Sequence, residues 1–414
     1  MNRRNFLKES LALVAFGAAV PSVFGKAVIA AAEESNSLTS VGKTLVVVQL
    51  AGGYDGLNMV VPYRDGAYRS LRPTLGVPEA ELLPLDDRFA FNPALSGLKG
   101  LYDGGKLAVV HGVGYPNPDF SHFKAMDIWQ TGDLDGQGTS GWLGRYFDEL
   151  TDPDGHPLAG MSVGRSLPTA FNSLKSTVPS VESVETFALQ PANGDSSPES
   201  RKTSLLKLYD AYRPAGTSYA ALLDTTMDSA YQSSLELAAA HAAYKPAAAY
   251  PQSGLASGLQ MLAELIDSGK DASPLRVGHV TLGGFDTHTG EDTRLGPLLT
   301  QTSEALTAFQ HDLEAHGHGD EVVTLVWSEF GRRPQENAQS GTDHGSALPI
   351  FVMGSNVKGG LHGEPPSLTN LDNGNLRFTT DFRSIYATLL EKWLQAPAKD
   401  ILGESFPQLD LLKV

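Results

Sequence analysis

Thr44–Leu50 (T-L-V-V-V-Q-L), running into Ala51-Gly52-Gly53-Tyr54-Asp55-Gly56, is the stretch that decides the fold. An apolar, β-branched run that ends in paired glycines reads as a strand buried on both faces, which is a property of parallel sheets. Runs of the same character recur at 107–111, 277–282 and 322–327, with a shorter one at 349–353. Helical patterns lie between and after them, notably 297–316 and 381–394. Strands alternating with helices predict an α/β fold with a mainly parallel sheet. Residues of about 187–270 are richer in Ala, Leu and Ser at helical spacing, as in 222–243 and 256–266, behind a loop at 193–198. They read as a helical insertion in a single domain spanning 33–414.

Composition narrows the function. The chain has 414 residues, 41% of them hydrophobic, enough for a sizeable core. It carries 47 acidic and 31 basic side chains, a net charge of -16, which argues against a nucleic-acid partner. Its cysteine count is 0, so disulfides, thiolate metal sites and cysteine nucleophiles are excluded together. The N-terminus reads R-R-N-F-L-K from Arg3 to Lys8, then an apolar stretch from Leu11 to Val20 and Ala30-Ala31-Ala32. This is a twin-arginine signal over residues 1–32, which predicts use of the twin-arginine export machinery and a periplasmic or extracellular location. Without it the chain has 27 basic and 46 acidic side chains and a net charge of -19. The apolar run is short for a membrane span, and no integral membrane segment is expected in the mature chain.

In open α/β sheets, ligands gather at the carboxyl ends of the strands. The four longer runs lead to metal-ligating residue types there. The first leads to Asp55, with Asn58 just beyond. The second leads to His111, with Ser121-His122 further along the same connection. The third leads to Gly283-Gly284-Phe285-Asp286-Thr287-His288, and the fourth to Ser328-Glu329-Phe330-Gly331-Arg332. Gly341-Thr342-Asp343-His344-Gly345 follows on a loop. Oxygen and imidazole donors without sulfur suit zinc, manganese, magnesium or calcium, as one or two divalent ions. Taken singly, Asp55 also suits a helix cap and Ser121 a helix N-cap.

Other motifs carry less. Gly160-Met161-Ser162-Val163-Gly164 fits the nucleophile elbow G-x-S-x-G, but Pro168 follows and no helical pattern does. His316-Gly317-His318 sits at a polar helix end, where solvated histidines are favourable.

The strand-end motifs together resemble the twin-arginine-exported bacterial family called domain of unknown function 1501. They are A-G-G-Y-D-G-L-N-M-V-V-P from Ala51, P-N-P-D-F-S-H-F from Pro116, M-D-I-W-Q-T-G from Met126, G-G-F-D-T-H, S-E-F-G-R and G-T-D-H-G. That family is distantly similar to the alkaline phosphatase and sulfatase superfamily. The resemblance implies a doubly wound, alkaline-phosphatase-like α/β sandwich with helices on both faces, and an exported, metal-dependent hydrolase of phosphate or sulfate esters, acting on small or glycan-linked substrates. By position it implies Asp55, Asp286, His288, Glu329 and His344 as metal ligands and Ser121 as nucleophile. Asn58, His122 and Asp343 stand as auxiliary ligands, and Arg332 would neutralise the transferring group, with an ion-pair role as its rival. Phe330 stands where the superfamily has a ligand histidine, which leaves one metal site full (Asp286, His288, His344) and thins the other (Asp55, Ser121, Glu329). A non-catalytic envelope binding or scaffold protein, keeping a degenerate hydrolase fold, is the alternative. The formylglycine pattern is missing, since Ser166-Leu167-Pro168-Thr169-Ala170 lacks its arginine.

Overall fold

The structure is a computed structural model that describes residues 42–135, 138–150, 158–187, 207, 218–269 and 275–413. Residues 1–32, expected to be a signal segment, and 193–198, expected to be a loop, lie outside the described residues. Fourteen strands follow one another among the described residues. They are β1 (Thr44–Leu50), β2 (Val60–Val61), β3 (Leu83–Pro84), β4 (Ala90–Phe91), β5 (Leu107–Gly114), β6 (Gly160–Val163) and β7 (Ser180–Val181). After these come β8 (Val277–Leu282), β9 (Val322–Trp327), β10 (Arg332–Glu336), β11 (Thr342–His344), β12 (Leu348–Met353), β13 (Gly360–His362) and β14 (Thr380–Asp381).

Nine of them form one sheet in the order β13-β5-β12-β9-β1-β8-β6-β7, with β14 also paired to β5. All its pairings are parallel except those of β12, which runs antiparallel to β5 and β9. Every residue of β1 is buried, so both faces of the sheet centre are covered. This is the expected α/β architecture, with a mainly parallel sheet wrapped by helices. The five expected strands are all present. β5 continues past His111 to Gly114, because Val113 pairs with both Leu348 and Thr380.

Helix Glu291–Ala315 starts six residues before the apolar pattern does, with Glu291 and Asp292 in its first turn, where acidic groups favour the helix dipole. Asp381 caps helix Phe382–Thr388 by accepting from Arg383 N, and the chain continues as a π-helical turn to Leu394. Within the expected insertion, helices Ser218–Ala243 and Gly254–Gly269 are present. The second packs on β8 and on helix Glu291–Ala315, and it places Leu255, Leu259, Leu262 and Ile266 in the main core. Ser162 lies inside β6, buried beside His279 of β8 with Oγ 3.1 Å from Nδ1. It is therefore not on an elbow.

Parallel alignment puts the carboxyl ends of β1, β5, β8 and β9 on one edge of the sheet. The loops leaving that edge build the site.

Candidate metal centre

The loop after β1 is shaped by Gly52 (φ +123°) and Gly53 (φ +70°). A Cβ on Gly52 would lie 2.4 Å from Asp286 N, and one on Gly53 would lie 2.3 Å from the Phe330 ring. Glycine is needed at both places, because the three loops touch through these backbones. Gly52 N donates to Glu329 Oε1 (2.8 Å) and Gly53 N to Ser328 Oγ (3.0 Å), which ties the end of β1 to the end of β9.

Five side chains converge beyond these glycines. His122 opens helix His122–Thr131, Asp286 and His288 follow β8, Glu329 follows β9, and His344 ends β11. Glu329 is fully buried, and the His122 Nδ1–H donates to its Oε1 at 2.7 Å. His344 Nδ1–H donates to the Phe120 carbonyl at 2.8 Å. With Nδ1 committed as donor in each neutral ring, the Nε2 lone pair is left facing the centre. His122 Nε2 is buried with no hydrogen-bond partner, 3.5 Å from Asp286 Oδ2. His344 Nε2 lies 2.9 Å from His288 Nε2 and 3.2 Å from Asp286 Oδ1. His288 Nδ1 sits 3.5 Å from Asp343 Oδ1, so Asp343 backs that ring.

The electrostatics follow from these contacts. The hydrogen bond to Glu329 raises the His122 pKa, and burial lowers that of His344. Burial alone would raise the Asp286 pKa, but the hydrogen bond and charge of Arg332, together with the neighbouring imidazoles, outweigh it and bring it to about 2. Asp286 is therefore a carboxylate at any ordinary pH.

This donor set fits a divalent ion. Ligand atoms of His122, Asp286 and His344 all lie within 4.8 Å of one another. Metal-ligating histidines donate their other ring N–H to a carboxylate or a carbonyl, as His122 does to Glu329 and His344 to Phe120 O. Imidazole-rich sites suit zinc and its first-row neighbours, whereas calcium and magnesium want oxygen.

The structure redistributes the expected roles. Asp286, His288 and His344 come together. His122, expected as an auxiliary, joins them, and Glu329 orients His122. Asp55 does not face this cluster: it is buried and caps helix Gly56–Met59 through Leu57 N. Both of its oxygens are taken by the Arg72 guanidinium, at 2.5 and 3.0 Å. Asn58 belongs to the same buried network, donating to Leu75 O (3.1 Å) and accepting from Tyr68 OH (2.7 Å).

Arg332 is fully buried and turned inward. It donates to the carbonyls of Gly52, Gly53, Phe285 and Thr342 and to Asp286 Oδ1 at 2.7 Å. It is thus the ion-pair partner of Asp286, the rival role expected for it, with its nitrogens bonded within the protein. Ser121 occupies the N-cap position of helix His122–Thr131, yet its hydroxyl makes no capping bond and is exposed. Phe330 does not leave a gap: its ring packs at 4.9 Å from His122 and 4.6 Å from His344, forming an apolar floor under both imidazoles.

Sequence reasoning missed Arg72, Glu291, Thr287 and Thr342. Glu291 accepts from Thr287 Oγ1 (2.8 Å) and Thr342 Oγ1 (2.6 Å), clasping the loops that carry His288 and His344. Burial and the adjacent Asp55 charge hold Glu291 well above the usual carboxylate range. Nothing local marks it beyond its place at a helix start.

An α/β fold with a histidine-rich centre at the carboxyl edge of its sheet defines the class of protein. More narrowly, the chain belongs to the family described as "Protein of unknown function (DUF1501)", which matches residues 108–394. No curated protein matches it. Among solved structures it is similar to a protein in the alkaline phosphatase superfamily from Vibrio parahaemolyticus, at 9% identity over 90% of this chain and 70% of that one, TM-score 0.41. It is also similar to the PsFucS1 sulfatase from Pseudoalteromonas sp., at 11% identity over 89% of this chain and 71% of that one, TM-score 0.39. A third is the C-terminal periplasmic domain of EcEptC from Escherichia coli in complex with Zn, at 11% identity over 76% and 73%, TM-score 0.36.

Proposed function

We propose that the chain is an exported, metal-dependent hydrolase of phosphate or sulfate esters, small or glycan-linked. One divalent ion, of the zinc type, would be held by His122, Asp286, His288 and His344. The observation that carries this is His122: its Nδ1 is fixed by buried Glu329 while its Nε2 lies buried, unpartnered and beside Asp286. A buried polar nitrogen without a partner is costly unless something binds it. When bound, the ion would supply Lewis-acid polarisation of the ester oxygen.

The chain's own residues would do the rest. Ser121 Oγ, exposed and free of the capping bond, would attack the phosphorus or sulfur atom from the N-terminus of helix His122–Thr131. There the helix dipole favours an incoming anion. The ester's P–O or S–O bond breaks, the alcohol leaves, and water later releases the group from serine. Arg332 holds Asp286 ionised and in place, and Glu291 keeps the loops of His288 and His344 together. The export reading rests on Arg3, Arg4 and the apolar stretch after them. No helix among the described residues is long and apolar enough to cross a membrane.

The test is turnover of a panel of aryl and sugar phosphate and sulfate esters by metal-loaded protein, with Ser121→Ala alongside. Activity on one ester class that falls by about 100-fold or more in Ser121→Ala supports the reading, since a lost nucleophile leaves only residual catalysis. Turnover equal in both proteins removes Ser121 from the mechanism. Absence of turnover throughout, with metal bound, favours a binding or scaffold protein.

A further inference from the structure

A cavity of about 370 Å³ opens on the same sheet edge, with Arg332 but none of the clustered imidazoles among its lining residues. Arg332, part of its wall, directs Nε, Nη1 and Nη2 to backbone carbonyls and Asp286. The walls are largely apolar, with Phe89, Pro349, Pro365 and Leu368 among them. Two arginines, Arg64 and Arg88, line it as well. His111 of β5 also lines it, only 5% exposed, and its Nε2 is buried with no hydrogen-bond partner. The imidazole rests against Phe89, with ring centroids 4.6 Å apart. Burial pushes the His111 pKa down to about 4, so the ring is neutral.

The cations are available for a ligand. Arg64 pairs with Glu79 at 2.9 Å, but both side chains are more than half exposed, and such pairs contribute little. Arg88 has Asp86 no nearer than 3.9 Å. Asp65, the acid at the rim, is occupied in capping helix Gly66–Leu71 through Ala67 N. A mostly apolar pocket with a few convergent polar groups is the usual form of a small-molecule site. Apart from Arg332, none of these residues takes part in the metal centre.

We propose that this cavity is a second ligand site, taking a small amphipathic hydroxycarboxylate. Its apolar body lies against Phe89, Pro349 and Leu368, its carboxylate meets Arg64 and Arg88, and its hydroxyl satisfies His111 Nε2. The arginines supply charge-assisted bonds that suit a planar carboxylate.

Calorimetric titration of the purified full chain with 4-hydroxybenzoate, benzoate and 4-hydroxybenzyl alcohol tests this. The expected result is a dissociation constant of about 1 mM or tighter for 4-hydroxybenzoate, with the uncharged alcohol about tenfold weaker. Arg88→Ala, at an exposed position, should weaken the acid by about tenfold and leave the fold intact. The His111 imidazole nitrogen resonances should move on titration in the wild-type protein. Benzoate, lacking the hydroxyl, should bind more weakly and leave Nε2 unshifted. No binding of any probe, equal binding of acid and alcohol, or indifference to both Arg64→Ala and Arg88→Ala would overturn the proposal. So would loss of binding in His344→Ala, which would place the acid at the imidazole cluster instead.

Discussion

His122 and Glu329 are 207 residues apart, and their hydrogen bond is the pivot of the site. Histidine alone at a helix start is an ordinary surface group. A buried carboxylate on its Nδ1 fixes both tautomer and ring plane, so the remaining nitrogen is pre-set to bind. Glu329→Gln should therefore lower metal affinity by about 10–100-fold, as measured by competition with a chromophoric chelator. Unchanged affinity would mean that His122 is not a ligand. The same scale separates what the sequence shows from what it hides. Asp286, His288 and His344 are legible because each closely follows a strand end or glycine. Asp55 reads the same way and is not in the cluster, because Arg72, 17 residues on, takes both of its oxygens. Arg332 is hidden for a related reason: the carbonyls that receive it come from three other loops. Partner choice between distant side chains leaves no local trace.

At the scale of elements, helix His122–Thr131 delivers both His122 and Ser121, and its placement depends on aromatic packing. Trp129 stacks on Trp327 of β9 at 5.2 Å and on Phe382 at 4.4 Å, fully buried. Trp129→Ala should cost about 3–5 kcal/mol in chemical denaturation, the usual range for a buried aromatic. It should also weaken metal binding, because the helix start carries His122. Full stability in that variant would show that the helix is anchored elsewhere. Five strands of the main sheet were readable, β1, β5, β8, β9 and β12, since apolar β-branched runs of that length bounded by turn residues have few other uses. The β10–β11 ribbon was not. Arg332–Glu336 and Thr342–His344 are short and polar, and the hairpin they form is tied by Arg332 to Thr342 O, by Glu291 to Thr342 Oγ1 and by Asn337 within the turn.

For the whole molecule, acid stability should report the buried histidines. His279 lies within the sheet, and burial lowers its pKa from 6.5 to about 4. The unfolded chain binds that proton at a higher pH than the native one, so stability is full above the unfolded value. It then falls as pH drops from 6.5 towards 4. His111, also lowered to about 4, adds to the same window. Denaturation midpoints measured between those limits should decline, and His279→Gln should flatten the decline; an unaltered slope would show that His279 titrates normally. The fold as a whole rests on one large apolar core around β1, β9 and β8, while the centre sits at its edge, where loops from four strands meet. The most direct measurement is the metal content of the purified full chain after exposure to zinc, manganese, magnesium or calcium and removal of excess. The proposed site predicts one tightly held ion per chain, zinc or manganese before magnesium or calcium, and its loss in Asp286→Ala and in His344→Ala while both variants stay folded. A folded wild-type chain that retains no ion, or variants that hold it as tightly, would contradict it.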